Sequence, residues 1–118
     1  MPVSYVNHKG REILYVDLTE SKTEKRSLEL LEETKEAYLN ASDKLYVLVN
    51  SEGAFVNAVV SSKMKEYGRT YFKDRAEKRA FVGIHGLKKM ILRAYSKMVG
   101  GNIKVFDDVE EAKDYLAS

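Results

Sequence analysis

Leu45-Tyr46-Val47-Leu48-Val49 is apolar at every position. A strand with one face in water alternates between apolar and polar residues, whereas a strand covered on both faces does not. The run therefore predicts the centre of a mainly parallel sheet. Asn50-Ser51-Glu52-Gly53 follows it and ends it with residues that favour turns.

Upstream, Val3–Val6 and Ile13–Leu18 read as two strands. Asn7-His8-Lys9-Gly10-Arg11 between them forms a hairpin turn, with Gly10 free to take positive φ. On this reading His8 is an exposed turn residue. Ser21-Lys22-Thr23-Glu24 fits a capping box, in which the serine oxygen accepts an early helical N–H and the glutamate reaches back. The helix it opens places Leu28, Leu31, Thr34, Lys35 and Tyr38 near one face.

Downstream, Val60, Met64, Tyr67 and Tyr71 recur at helical spacing. The charged stretch Lys73 to Lys78 separates that helix from a strand over Arg79–Ile84. A third helix carries an apolar stripe of Leu87, Met90, Ile91, Ala94 and Met98, and Gly100-Gly101-Asn102 stops it. Ile103–Phe106 is a short last strand. Asp107 to Glu111 then starts a final helix with acidic residues at its positive end. The order is β-β-α-β-α-β-α-β-α. It predicts a single α/β domain over residues 1–118, with a mixed, mainly parallel sheet of five strands and four helices.

The totals agree with one globular domain of 118 residues, 44% hydrophobic and 32% charged. Twenty basic residues nearly balance 18 acidic ones, a net charge of +2 that gives no reason to expect nucleic acid as a partner. There is no cysteine, which excludes disulfides, thiolate metal sites and cysteine nucleophiles. The N-terminus lacks a signal segment and no apolar run approaches the length of a spanning helix. A soluble, cytoplasmic protein is the expectation.

Catalytic signatures are missing: there is no P-loop, no dinucleotide fingerprint and no nucleophile elbow. His8 and His85 are the only histidines, too few for a metal site, and neither metal nor cofactor is expected. Function is then sought where parallel sheets bind ligands, beyond the carboxyl ends of the strands. Two turns qualify there. Asn50, Ser51 and Gly53 follow the central strand, and His85, Gly86 and Lys88 follow the next one. If Ser51 lies near a helix start, the site favours an anion, and Ser51 becomes a candidate phosphosite. Lys89, Arg93 and Lys97 recur every four residues on the third helix, a basic surface suited to an acidic partner or an anionic membrane.

Asn7-His8-Lys9-Gly10-Arg11-Glu12-Ile13-Leu14-Tyr15-Val16-Asp17 opens the chain. Phe81-Val82-Gly83-Ile84-His85-Gly86-Leu87-Lys88-Lys89 lies in its second half, then Val105-Phe106-Asp107 and Glu110-Glu111-Ala112-Lys113-Asp114-Tyr115-Leu116. In order and spacing these resemble the SpoIIAA-like family, a branch of the STAS fold (sulfate transporter and anti-sigma-factor antagonist). The resemblance covers nearly the whole chain. It implies a cytosolic, non-enzymatic prokaryotic module. In anti-sigma antagonists a kinase phosphorylates a serine in an Asp-Ser-Ser/Thr-Gly type segment after the central strand. Asn50-Ser51-Glu52-Gly53 stands at that place, with Asn50 for the acidic residue and Glu52 for the second hydroxyl. Only Ser51 matches, beside a carboxylate that repels phosphate. The fold also resembles CRAL-TRIO lipid-binding domains in outline, which are larger.

The leading reading is a binding or regulatory module whose partner is a protein or a small anionic ligand. Alternatives are an anion or nucleotide site at Asn50, Ser51, Gly53, His85, Gly86 and Lys88, a lipid-binding domain, and peripheral membrane association through Lys89, Arg93 and Lys97. A small enzyme built on His85 with Ser51 or Glu52 ranks last, because no orienting carboxylate or oxyanion site can be named.

Overall fold

The computed structural model describes residues 2–99 and 103–118, without the side chains at 91, 95, 98 and 99. Five strands form one sheet in the order β1-β2-β3-β4-β5. They are β1 (Val3–His8), β2 (Arg11–Asp17), β3 (Leu45–Asn50), β4 (Ala76–Val82) and β5 (Ile103–Phe106). β1 pairs antiparallel with β2, and every later pairing is parallel. The helices are α1 (Glu24–Asn40), α2 (Ala58–Tyr67), α3 (Leu87–Val99) and α4 (Val109–Ala117). The expected mixed, mainly parallel architecture is thus observed.

Each parallel crossover moves one strand along the sheet in the same direction, so right-handed connections place α1, α2 and α3 on one face. The core on that face joins Leu14, Val16, Val47, Val49 and Phe81 of the sheet to Tyr38, Tyr67 and Phe72. On the other face Ile13, Leu48, Ala80 and Val82 meet Ala112 and Leu116 of α4. Adjacent residues of β3 serve opposite cores, which is why its sequence does not alternate.

Several local expectations are corrected. The N-cap of α1 is Thr23, whose side chain accepts from the Arg26 N–H at 3.1 Å. Ser21 is instead buried, and its hydroxyl is hydrogen-bonded to that of Ser27. The buried face of α1 is Ser27, Leu30, Thr34 and Tyr38, with Leu28 and Leu31 at its flanks. Two small hydroxyl residues hold inner positions because their hydroxyls are satisfied there: Ser27 donates to the distant Phe55 carbonyl and Thr34 to the Leu30 carbonyl one turn back. After α2 the chain makes a π-helical turn over Gly68–Phe72, which sets Phe72 rather than Tyr71 fully inside. β4 begins at Ala76, three residues early, within what reads as a charged connector. The pairing with β3 passes from Leu45–Ala76 to Tyr46–Lys78, so Glu77 is an extra residue at a bulge. His8 ends β1 half-buried, and its Nε2 lies 2.7 Å from Asp114 of α4.

The largest departure is α3. Its apolar stripe is expected to face the sheet. Yet Leu87 is 70% and Met90 66% exposed, and Ala94 is exposed as well. Leu92, Ser96 and the stem of Lys89 form the half-buried side. Lys89 reaches Asp107, just past β5, at 3.6 Å, and Leu92 packs on the core. These contacts turn the stripe outward. The side chains of Ile91 and Met98, and the stop at residues 100–102, lie outside the described residues.

Candidate functional site

The carboxyl ends of β2, β3 and β4 lie side by side, with Asp17 opposite Asn50 and Asn50 opposite Val82. The turn after β3 is pinned on both sides. Leu18 donates its N–H to the Asn50 carbonyl at 2.9 Å, and Ser51 donates its N–H to the Val82 carbonyl at 2.9 Å. The Asn50 side chain spans the turn, donating to the Tyr15 hydroxyl at 3.1 Å and accepting the Glu52 N–H at 3.2 Å. Lys22 donates to the Gly53 carbonyl at 2.9 Å.

The turn after β4 presses on the first. Gly83 has φ +79°, and a Cβ there would sit 2.4 Å from the Glu52 nitrogen. Only glycine suits both the positive φ and the close approach. His85 Nε2 lies 2.8 Å from Glu52 Oε2, with the two side chains 68% and 62% exposed. Asn50, Ser51, Gly53 and His85 are therefore brought into one neighbourhood, with Gly86 next in the chain. Lys88 lies exposed on the first turn of α3 and, among the described residues, takes part in no hydrogen bond or ion pair.

Two premises of an anion site at this place fail. The helix after β3 starts at Ala58 with Asn57 as its N-cap, so Ser51 is half a dozen residues from the positive helix end. The group that meets His85 is the chain's own carboxylate. Gly83, Tyr15 and Lys22 shape the site and are not assigned to it from sequence, while Glu52 enters there only in the last-ranked enzyme reading. Nothing in their local spacing signals the pairing, because it depends on two turns meeting in space.

The basic row is split. Lys89 is engaged with Asp107, while Arg93 and Lys97 stand exposed. Beside them lies the outward apolar side of α3. Phe55, Val56 and Val59, between β3 and the first turn of α2, are also exposed. Both apolar segments leave the sheet at the same end. Among the described residues no helix is long and apolar enough to cross a membrane, and no three histidine or carboxylate side chains gather as a metal site would need.

No family model matches the chain. No curated protein matches it either. Among solved structures it is similar to an uncharacterized protein of the DUF3478 family from Shewanella loihica PV-4, described as having a SpoIIAA-like fold. The TM-score is 0.73 at 14% sequence identity, over 97% of this chain and 91% of that one. At that identity it is the architecture that the two proteins share, and the chain has a SpoIIAA-like fold.

Proposed function

We propose that this domain is a non-enzymatic docking module of STAS-like type, which meets a protein partner through the outward side of α3. The observation that carries the reading is the exposure of Leu87 and Met90, 70% and 66%, on a helix that has a clear apolar stripe. A surface helix normally turns such a stripe inward, and a contiguous exposed apolar patch marks an interaction site. α3 contains no acidic residue, and Lys88, Arg93 and Lys97 flank the stripe. The complementary partner surface is apolar at its centre and acidic at its rim.

The same chemistry favours a second reading, peripheral contact with an anionic membrane, since an amphipathic helix with a basic flank suits that interface. Catalysis is not proposed. The His85–Glu52 pair stands on open surface, where water is not excluded from a reacting group.

The test compares native protein with Leu87→Glu/Met90→Glu in capture from cytosol and in flotation with neutral and phosphatidylserine-containing vesicles. Partners lost in the variant, without flotation, support the protein reading. Flotation only with the anionic vesicles supports the membrane reading. Identical behaviour of both proteins removes α3 as the docking surface.

A further inference from the structure

β1 is an end strand of the sheet, and no residue of it is buried. Its pairing with β2 fixes which backbone groups it leaves over. Residues opposite each other in an antiparallel pair alternate between those that exchange hydrogen bonds and those that do not. Asp17 donates its N–H to the Pro2 carbonyl at 2.7 Å. Counted from there along the register, Ser4–Tyr15, Val6–Ile13 and His8–Arg11 are the bonded pairs. Lys9 and Gly10, both at positive φ, close the hairpin after the last of them. Val3, Tyr5 and Asn7 therefore turn their N–H and C=O groups away from β2, and no further strand takes them.

Folded proteins guard such an edge with charge, proline, a bulge or short length. β5, at the opposite end, is guarded: it has four residues and carries the exposed Lys104. β1 is not. Val3-Ser4-Tyr5-Val6-Asn7-His8 holds no lysine, arginine, carboxylate or proline, and its register with β2 is unbroken. Tyr5, at the middle of the free row, is 48% exposed. An unguarded edge of this length is a template for another strand.

We propose that β1 pairs antiparallel with β1 of a second copy, on a two-fold axis at Tyr5, so that the two sheets become one. The free row is its own complement under that axis. Tyr5 meets Tyr5, Val3 meets Asn7 and Asn7 meets Val3, so each N–H, partly positive, faces a C=O, partly negative. Every group that β2 leaves over is satisfied at once. The two Tyr5 rings lie side by side on the face toward α1, and Ser4 lies opposite Val6 on the face toward α4. A cleft of about 580 Å³ borders Tyr5, between the hairpin and residues 40–44, and leaves the second ring space. No like charges meet across the axis. A foreign strand would be chosen by charges or pockets at alternate positions, and Val3, Tyr5 and Asn7 offer it no charge. The contact is small beside the ~1,200 Å² of a standard interface, so the dimer forms reversibly and with concentration. α3 connects β4 to β5, at the other end of the sheet, so the pairing stands whether or not α3 docks a partner.

The experiment follows the mass of intact protein by sedimentation and light scattering over a dilution series. Hydrogen exchange and isotope-filtered NMR give the contact. Native protein passes from monomer to dimer as it is concentrated. In the dimer the amides of Val3, Tyr5 and Asn7 become protected, while β2 protects those of Ser4 and Val6 throughout. A cross-peak between the α-protons of Ser4 and Val6 joins differently labelled copies. Tyr5→Lys sets two like charges at the axis and raises the dissociation constant by about tenfold or more. Tyr5→Pro removes only an outward N–H, so the β2 pairing and the fold survive while the dimer is lost. Where a variant fails to fold, the exchange pattern and cross-peak of native protein decide by themselves. A protein that stays monomeric at every concentration overturns the proposal. So does a dimer that both variants retain, or one in which Val3, Tyr5 and Asn7 exchange freely. A dimer lost in Leu87→Glu/Met90→Glu and kept in the Tyr5 variants belongs to α3, and overturns it too.

Discussion

His85 Nε2 and Glu52 Oε2 lie 2.8 Å apart, so the turns after β3 and β4 are tied to each other by an exposed acid–base pair. An anion approaching Ser51 or His85 meets that carboxylate first. The tie also fixes which turn rests on which, since Gly83 sits directly beneath Glu52.

Removing the charge is the first test of this arrangement. In Glu52→Gln, titration with inorganic phosphate is expected to shift the amides of residues 50–53 and 83–86 more than in native protein. Equal shifts in the two proteins would show that the carboxylate does not guard the turn.

Gly83 and Gly86 both have positive φ, but only Gly83 lacks room for a Cβ. Gly86→Ala should cost about 1–2 kcal/mol, the ordinary penalty of left-handed backbone for a residue with a Cβ. Gly83→Ala should cost more, about 3 kcal/mol or above, because backbone at Glu52 must also move. Urea unfolding of the two variants gives the order directly.

Much of the architecture was legible. The unbroken apolar run at residues 45–49 identified the central strand, because burial on both faces leaves a mark in every side chain. The hairpin, the three crossovers and the last strand followed from turn residues and spacing. What escaped were matters of orientation and phase. Periodicity says that α3 has an apolar side, but not which way that side is turned; the Lys89–Asp107 contact and Leu92 decide it. On α1 the sequence places Thr34 and Tyr38 inside correctly but misses Ser27 and Leu30, because Ser27 hides its hydroxyl in a bond to the distant Phe55 carbonyl. At the candidate site, Asn50, Ser51 and His85 were found by position in the sheet. The Glu52 partner depends on two turns distant in sequence, and no local pattern encodes it.

The cap of α1 gives a second contrast between sequence and structure. Thr23→Ala removes the acceptor for the Arg26 N–H and should cost about 1 kcal/mol. Asn57→Ala should cost a similar amount, about 1 kcal/mol, by uncapping α2. Thermal or urea unfolding of the single variants is the measurement. A Thr23→Ala protein as stable as native would return the cap to Ser21.

Apolar residues at different places should differ sharply in weight. Leu48 is fully buried against α4, and Leu48→Ala should cost about 2–5 kcal/mol. Leu87→Ser and Met90→Ser should each change stability by no more than about 0.5 kcal/mol, as exposed positions do. A large loss in either serine variant would place the stripe inside.

Two carboxyl groups predict the acid limb of stability. The hydrogen bond from His8, and then that from Lys9, hold the Asp114 pKa below its ordinary value of 3.8. The Tyr67 hydroxyl, and then Lys35, hold Glu32 below 4.5. A carboxyl whose pKa is lowered on folding contributes stability in full above its unfolded value and loses it as pH falls through the folded value. Stability should therefore decline on acidification below the ordinary carboxylate range. His8→Ala should raise the Asp114 pKa, read by carboxyl-carbon NMR. An unchanged titration would detach Asp114 from the hairpin.

The strand order runs in step with the chain, so each new strand is laid beside the one made just before it. A ribosome can therefore release this sheet edge by edge, with α1, α2 and α3 closing one side as they emerge. The other side has no such escort. Ile13, Leu48, Ala80 and Val82 wait for Ala112 and Leu116, which arrive only after β5 is in place. Until then the nascent domain carries a flat, greasy wall facing the solvent. Chaperone dependence and aggregation during synthesis should thus be governed by how promptly α4 leaves the exit tunnel, whatever the final stability of the finished domain.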